Sequence, residues 1–87
     1  MTLQQLIYAV KIADTKSMNK AATELFVSQP ALSSTMRDLE EELQIEIFIR
    51  TNKGIVITTE GEEFLSYARQ MVCLLYTSPS PRDRQKS

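Results

Sequence analysis

The run Val27-Ser28-Gln29-Pro30-Ala31-Leu32-Ser33-Ser34-Thr35-Met36-Arg37-Asp38-Leu39-Glu40-Glu41-Glu42-Leu43 constrains this chain more than any other segment. It reads as a helix with two unlike faces. Ser28 is a good N-cap, and Pro30 falls in the first turn, where its missing N–H is harmless. At ~100° per residue, Leu32, Met36, Leu39 and Leu43 share roughly a 60° arc. Pro30, Ser34 and Arg37 lie opposite, with Ser33 on the flank. A helix with leucines on one side and small polar residues plus one Arg on the other is shaped for the major groove of DNA. Small side chains let the helix axis approach base edges. The open N-terminus offers N–H groups and a positive dipole end to a phosphate.

Two further helices precede it. Ser17 can cap a short one in which Met18, Ala21, Ala22 and Leu25 share a side. The alanines are small enough for another helix to cross closely, and the connection Phe26-Val27 is as short as in helix-turn-helix units. Thr2 with Gln5 makes a capping box for a first helix whose stripe is Leu3, Leu6, Ile7 and Val10. Three helices with the last two tightly joined form the trihelical core of a DNA reader.

After Leu43 the pattern turns β-like. Gln44 to Ile49 is β-branched and nearly alternating, Thr51-Asn52-Lys53-Gly54 is a turn, and Ile55 to Thr58 is a second strand. Strands this short are marginal alone, so Ile47, Phe48, Ile55 and Ile57 are expected to pin them on the helices. The alternatives are a DNA-touching wing and a plain hairpin closing the core. Arg50, Thr51 and Lys53 at the tip favour the wing. Thr59 with Glu62 reads as the capping box of a fourth helix, whose first turn holds Glu60, Glu62 and Glu63. Its apolar residues Phe64, Leu65, Ala68, Met71, Val72 and Leu75 recur at helical spacing. They suit either packing on the chain's own core or pairing with a second subunit.

Six segments carry a family resemblance: MTLQQL at the start, S-x-x-x-AA-x-x-L from Ser17 to Leu25, VSQPALS from Val27 to Ser33, LEEEL from Leu39 to Leu43, IFIRT from Ile47 to Thr51, and TTEGE from Thr58 to Glu62. In order and spacing, the run from Met1 to about Gln70 resembles the N-terminal domain of LysR-type transcriptional regulators. The resemblance implies a mainly α fold: a winged helix-turn-helix over 1–58, with a three-helix core and a two-stranded wing, followed by a linker and dimerisation helix over 59–75. It implies double-stranded DNA with a palindromic operator as partner. It also implies a homodimer joined through Phe64, Leu65, Ala68, Met71 and Val72. The small-molecule effector would bind a C-terminal domain that this chain lacks. Gln29, Pro30, Ser33, Ser34 and Arg37 are expected at the bases. Ser28, Thr35, Arg50, Thr51 and Lys53 are expected at the phosphate backbone. Where this chain has Ser34 and Thr35, the family commonly has Arg or another long polar residue and then Gln. The reach toward base edges is therefore shorter, which favours readout through water or by Gln29, Ser33 and Arg37.

Pro79 and Pro81 end the helical pattern, and 76–87 has no apolar content beyond its start. This stretch reads as a disordered, non-native tail on a truncated domain, against the alternative of a natural basic tail touching DNA. The 87 residues allow one small domain. No apolar run is long enough for a membrane span, and no signal peptide is visible. The lone Cys73 cannot form an internal disulfide, so a cytoplasmic location is expected. With no His, no second Cys and no Gly-rich phosphate loop, no metal, cofactor or enzymatic chemistry is expected. Charge argues the other way from DNA: through Gln70 there are seven Lys/Arg and ten Asp/Glu, a net of −3, whereas DNA-binding domains are usually basic. That balance favours the competing reading, a helical dimerisation module that binds protein rather than DNA. The distribution answers it in part. Many of the acids fall at the far end of the third helix and at the start of the fourth, and Arg37, Arg50 and Lys53 are all expected near the duplex.

Overall fold

A computed structural model describes the chain from Met1 to Tyr76, with side chains to Leu74. Helix α1 (Leu3–Thr15) is followed by α2 (Met18–Leu25), α3 (Gln29–Leu43), an antiparallel hairpin of β1 (Phe48–Thr51) and β2 (Gly54–Ile57), and α4 (Thr59–Tyr76). This is a winged helix-turn-helix with an added helix. The tail expected from residue 76 lies outside the described residues, apart from the Tyr76 backbone that closes α4.

The first three helices start as their sequences dictate. Thr2 accepts the Gln5 N–H while the Gln5 side chain accepts the Thr2 N–H, a reciprocal capping box. Ser17 accepts from Lys20 N–H and Ser28 from Ala31 N–H. All three helices stop on a left-handed residue other than glycine: Lys16, Phe26 and Gln44 have φ of 55°, 61° and 60°. In the tight turn, Phe26 is that residue. The Val27 N–H reaches back to the Ala22 carbonyl at 3.0 Å, and the chain is reversed in time for Ser28 to cap α3.

The core is shared by every element. Leu32, Met36 and Leu39 of α3 are buried with Met18, Ala21 and Ala22 of α2, as their spacing predicts. The buried stripe of α1 is different from the expected one. It is Leu6, Ala9, Ile12 and Ala13, while Leu3 is exposed and Ile7 and Val10 are half-buried. This is the side on which α2 and α4 both pack, and its two alanines allow the close approach.

The strands are displaced from their expected bounds. β1 starts at Phe48, not Gln44, because Gln44 is the left-handed cap of α3. The Glu40 carboxylate then accepts the N–H groups of Ile47 and Phe48 at 2.7 and 3.0 Å, in place of a strand partner. Thr51 belongs to β1 and Gly54 to β2, leaving Asn52-Lys53 as a two-residue turn. Ile47 and Ile55 are buried, Phe48 and Ile57 are half-buried, and Ile49 and Val56 face outward.

The cap of α4 is also one residue earlier than expected. The Thr58 hydroxyl, not that of Thr59, accepts a helix N–H, from Gly61 at 2.9 Å, and no capping box with Glu62 forms. Thr58 has a second task that selects it. Its hydroxyl donates to the Glu46 carbonyl and its N–H to the Ile47 carbonyl, so it also ties β2 to the segment before β1. Gly61 is required beside it: a Cβ there would lie 2.6 Å from the Ile47 carbonyl oxygen.

Candidate nucleic-acid interface

Three surfaces of α3 follow from its winding. Leu32, Met36 and Leu39 face the core. Pro30 and Ser34 are exposed on the outer side. Gln29, Ser33, Arg37 and Glu40 run along the flank that faces the wing. A concave surface between α3 and the hairpin is bordered by Ser33, Arg37, Glu40, Phe48 and Arg50. A second, next to it, joins Lys16, Asn19 and Gln29 to the wing turn at Asn52 and Lys53. The hairpin is held over the helices by the Ile55 N–H, which donates to the Lys16 carbonyl at 3.3 Å. Gly54, at φ 127°, permits this approach, since a Cβ would meet that same carbonyl at 3.2 Å.

Arg50 is not at the tip, where the sequence placed it with Lys53. Residues two apart on a strand share a face, so Arg50 points the way Phe48 does, toward the helices. The register sets it opposite Ile55. Its guanidinium crosses to α3 and donates from Nη2 to Ser33 Oγ. The tip itself is Asn52-Lys53, held by Thr51, whose hydroxyl donates to the Gly54 carbonyl at 2.9 Å and accepts the Lys53 N–H at 3.2 Å.

The polar side chains of α3 differ in what they have left to offer. Among the described residues, the side chains of Gln29, Ser34 and Arg37 make no hydrogen bond within the protein. Ser28 is exposed, but its hydroxyl oxygen caps the helix. Thr35 is half-buried and its hydroxyl donates to the Ala31 carbonyl at 3.0 Å. Its proton is therefore committed to the helix, which argues against the phosphate contact expected of it, because phosphate oxygens only accept.

The charge of α3 changes along its length: 29–37 holds no acid, whereas Arg37 borders a hollow shared with Glu40, Glu41 and Glu46. The ion pairs among the described residues are Met1 N-terminus–Glu42, Lys11–Glu24 and Arg69–Asp14. None involves Lys16, Lys20, Arg37, Arg50 or Lys53. The Glu40 carboxylate, nearest to the groove, is turned onto two backbone N–H groups. Lys16, Asn19 and Lys20 on the rim of the α1–α2 turn were missed at the sequence level. The available signal was their position around Ser17, the cap of a helix that crosses just behind α3.

The expected pairing stripe on α4 needs correction. Leu65 and Ala68 are buried within this chain, because α4 packs along α1 and uses that face at home. Phe64 packs partly on the same core, and Val72 is half-buried. Met71 is 41% exposed, and it shares an outward face with Tyr67 (69%) and Leu74 (75%), which the sequence reading passed over. Among the described residues no three His, Cys, Asp or Glu side chains gather as a metal site, and no helix is long and apolar enough to cross a membrane.

Comparison with known proteins agrees with this geometry. Residues 3–62 match the model of the bacterial regulatory helix-turn-helix protein, lysR family. An uncharacterized HTH-type transcriptional regulator of Bacillus subtilis (strain 168), YxjO, is 39% identical over 72 residues, which is 83% of this chain and 25% of that protein. The DNA-binding domain of CbnR in complex with DNA has a TM-score of 0.84 and 36% identity, covering 90% of both chains. The BenM DNA-binding domain in complex with catB site 1 DNA has a TM-score of 0.82 and 36% identity, covering 86% of this chain and 81% of the other. The chain spans about a quarter of the length of curated relatives such as YxjO.

Proposed function

Because this chain belongs to the lysR family of bacterial regulatory helix-turn-helix proteins, we propose that it is the operator-reading part of a cytoplasmic transcription regulator. Helix α3 enters the major groove and the wing rests on the flanking backbone. One observation carries the reading. The exposed N-terminal half of α3, from Gln29 to Arg37, holds only small or groove-suited side chains and no acid, and Arg37, Arg50 and Lys53, none of them in an ion pair among the described residues, stand beside it. Likeness to domains solved on DNA supports it at 36% identity.

Within this reading Gln29 and Arg37 contact bases, Gln29 suiting adenine and Arg37 guanine. Pro30 and Ser34 let the helix come close. Lys53 on the wing, with Ser28 at the helix start, meets phosphates, while Thr51, whose hydroxyl proton goes to the Gly54 carbonyl, holds the turn that presents Lys53. A two-fold dimer forms through the outward face of α4, Tyr67, Met71 and Leu74, because an exposed apolar row of this kind usually marks an interface. Such a dimer matches a palindromic operator. Effector recognition is assigned to the part of the relatives' length that this chain does not cover.

The protein-binding module without DNA affinity has no structural observation in its favour. A gel-shift titration with genomic fragments at low and moderate salt tests the choice. Retarded complexes that survive competition by random DNA are expected. Absence of any shift at low salt would remove the DNA reading.

A further inference from the structure

Ser33 and Thr35 are two short hydroxyls on one helix with opposite commitments. Thr35 donates its proton to the Ala31 carbonyl one turn back, as Thr23 does to Asn19. Ser33 makes no such bond. Its oxygen instead accepts from the Arg50 guanidinium, and among the described residues its proton has no acceptor. A hydroxyl has one donor and two acceptor sites, and its hydrogen rotates to suit its surroundings. A fixed cation on the oxygen side sets that dipole, with oxygen toward Arg50 and hydrogen away from it. A second donor approaching the same oxygen would be repelled by the guanidinium. Ser33 is thus held as a donor. It lies one turn after Gln29 and one before Arg37, on the flank both share.

We propose that Arg50 is a positioning residue that locks Ser33 as a hydrogen-bond donor, so that Ser33 reads the N7 acceptor common to both purines. The inference rests on the DNA reading above. In the major groove, N7 is an acceptor on guanine and adenine alike, while cytosine presents an N4 donor and thymine a methyl beside its O4. One short donor cannot tell the two purines apart. The base it faces is therefore specified only as purine, in contrast to the single-base readout by a bidentate Gln29 or Arg37. The same bond explains why an Arg on the inner face of a wing need not be spent on a phosphate. Its place in β1, two residues from Phe48 and opposite Ile55, aims it at α3 rather than outward.

The test uses the 87-residue chain and its Ser33→Ala, Arg50→Met and Arg50→Lys variants. Each is first checked for an unchanged helical spectrum and melting. A randomised duplex library is selected on the wild type, and the enriched site is then rebuilt with 7-deazapurines one position at a time. One position is expected to accept guanine and adenine within about twofold. Pyrimidine or a 7-deazapurine there should lose about tenfold, the worth of one good hydrogen bond. Ser33→Ala should abolish that preference, Arg50→Met should reduce it to under about threefold, and Arg50→Lys, which keeps a cationic donor, should retain most of it. A purine preference untouched by Arg50→Met, with only a shallower salt dependence, would make Arg50 a phosphate contact and overturn the proposal. So would a site in which no 7-deaza effect depends on Ser33. Enrichment of no sequence at all would instead overturn the DNA reading on which the proposal stands, whereas enrichment with the wrong dependence sinks only the role of Arg50.

Discussion

At position 61 one absent carbon decides how α4 meets the wing. A Cβ there would lie 2.6 Å from the Ile47 carbonyl oxygen and 2.9 Å from the Ile47 Cα, both backbone atoms that cannot swing aside. Gly61→Ala should therefore destabilise the fold by about 1–3 kcal/mol, as overpacking does, read as a lower urea midpoint with an unchanged slope. An unaltered midpoint would mean that α4 slides freely on this segment. The sequence shows a glycine after Thr58 and Thr59, but not what approaches it. Gln29 is the converse case: the base contact proposed for it follows from its position on the helix and the hydrogen-bonding groups of an amide, both read directly from the sequence. On the operator Gln29→Ala should cost about 1–3 kcal/mol and on random duplex almost nothing. Equal losses on both would show that Gln29 does not read bases.

Among the elements, the wing shows how little a strand propensity says about where a strand begins. Gln44 to Ile49 alternates well enough to suggest six strand residues, yet pairing starts only at Phe48. Gln44 is consumed in ending α3, and Glu40, four residues before it, reaches across to the N–H groups of Ile47 and Phe48. Those two donors would be orphaned by Glu40→Ala, which should cost about 1–3 kcal/mol, more than Glu40→Gln, which keeps an acceptor. Chemical denaturation of the two variants side by side checks the order, and equal stabilities would discount the bond. The wing's tip makes a second prediction. Lys53 is exposed on a two-residue turn and is in no ion pair among the described residues. Lys53→Met should weaken binding to all sequences alike and lower the slope of log K against log salt by about 0.9. A slope that stays where it was would take the wing off the DNA.

For the molecule as a whole, α4 has two unlike faces. Leu65 and Ala68 close the chain's own core against α1, while Tyr67, Met71 and Leu74 look outward. Leu65→Ala should cost about 2–5 kcal/mol of folding stability, the usual range for a buried leucine. Met71→Glu should leave the melting temperature of the dilute chain unchanged and shift a concentration-dependent monomer–dimer equilibrium toward monomer in sedimentation. A chain that stays monomeric at high concentration would remove the pairing face. The net of −3 through Gln70 bears on the complex rather than the fold: few phosphates can be neutralised, so non-specific affinity should be weak and base contacts carry more of the binding.

What the sequence determined by itself was set within one or two turns of chain. The caps at Thr2, Ser17 and Ser28, the buried run Leu32, Met36 and Leu39 of α3 and the short link through Phe26 all depend on near neighbours and helical period, and they stand where the residues put them. What only the tertiary structure decided was which of two suitable faces or residues a distant element would claim. Helix α1 was open to several stripes until α2 and α4 crossed it. Helix α4 carried apolar residues on more than one side, with no local feature to say which would close the core. Arg50 was one more cation near a turn until the strand's two-residue period and its register against Ile55 aimed it at Ser33, 17 residues away. In each case the deciding partner lies on another element, and no local rule of helix or strand geometry reaches that far.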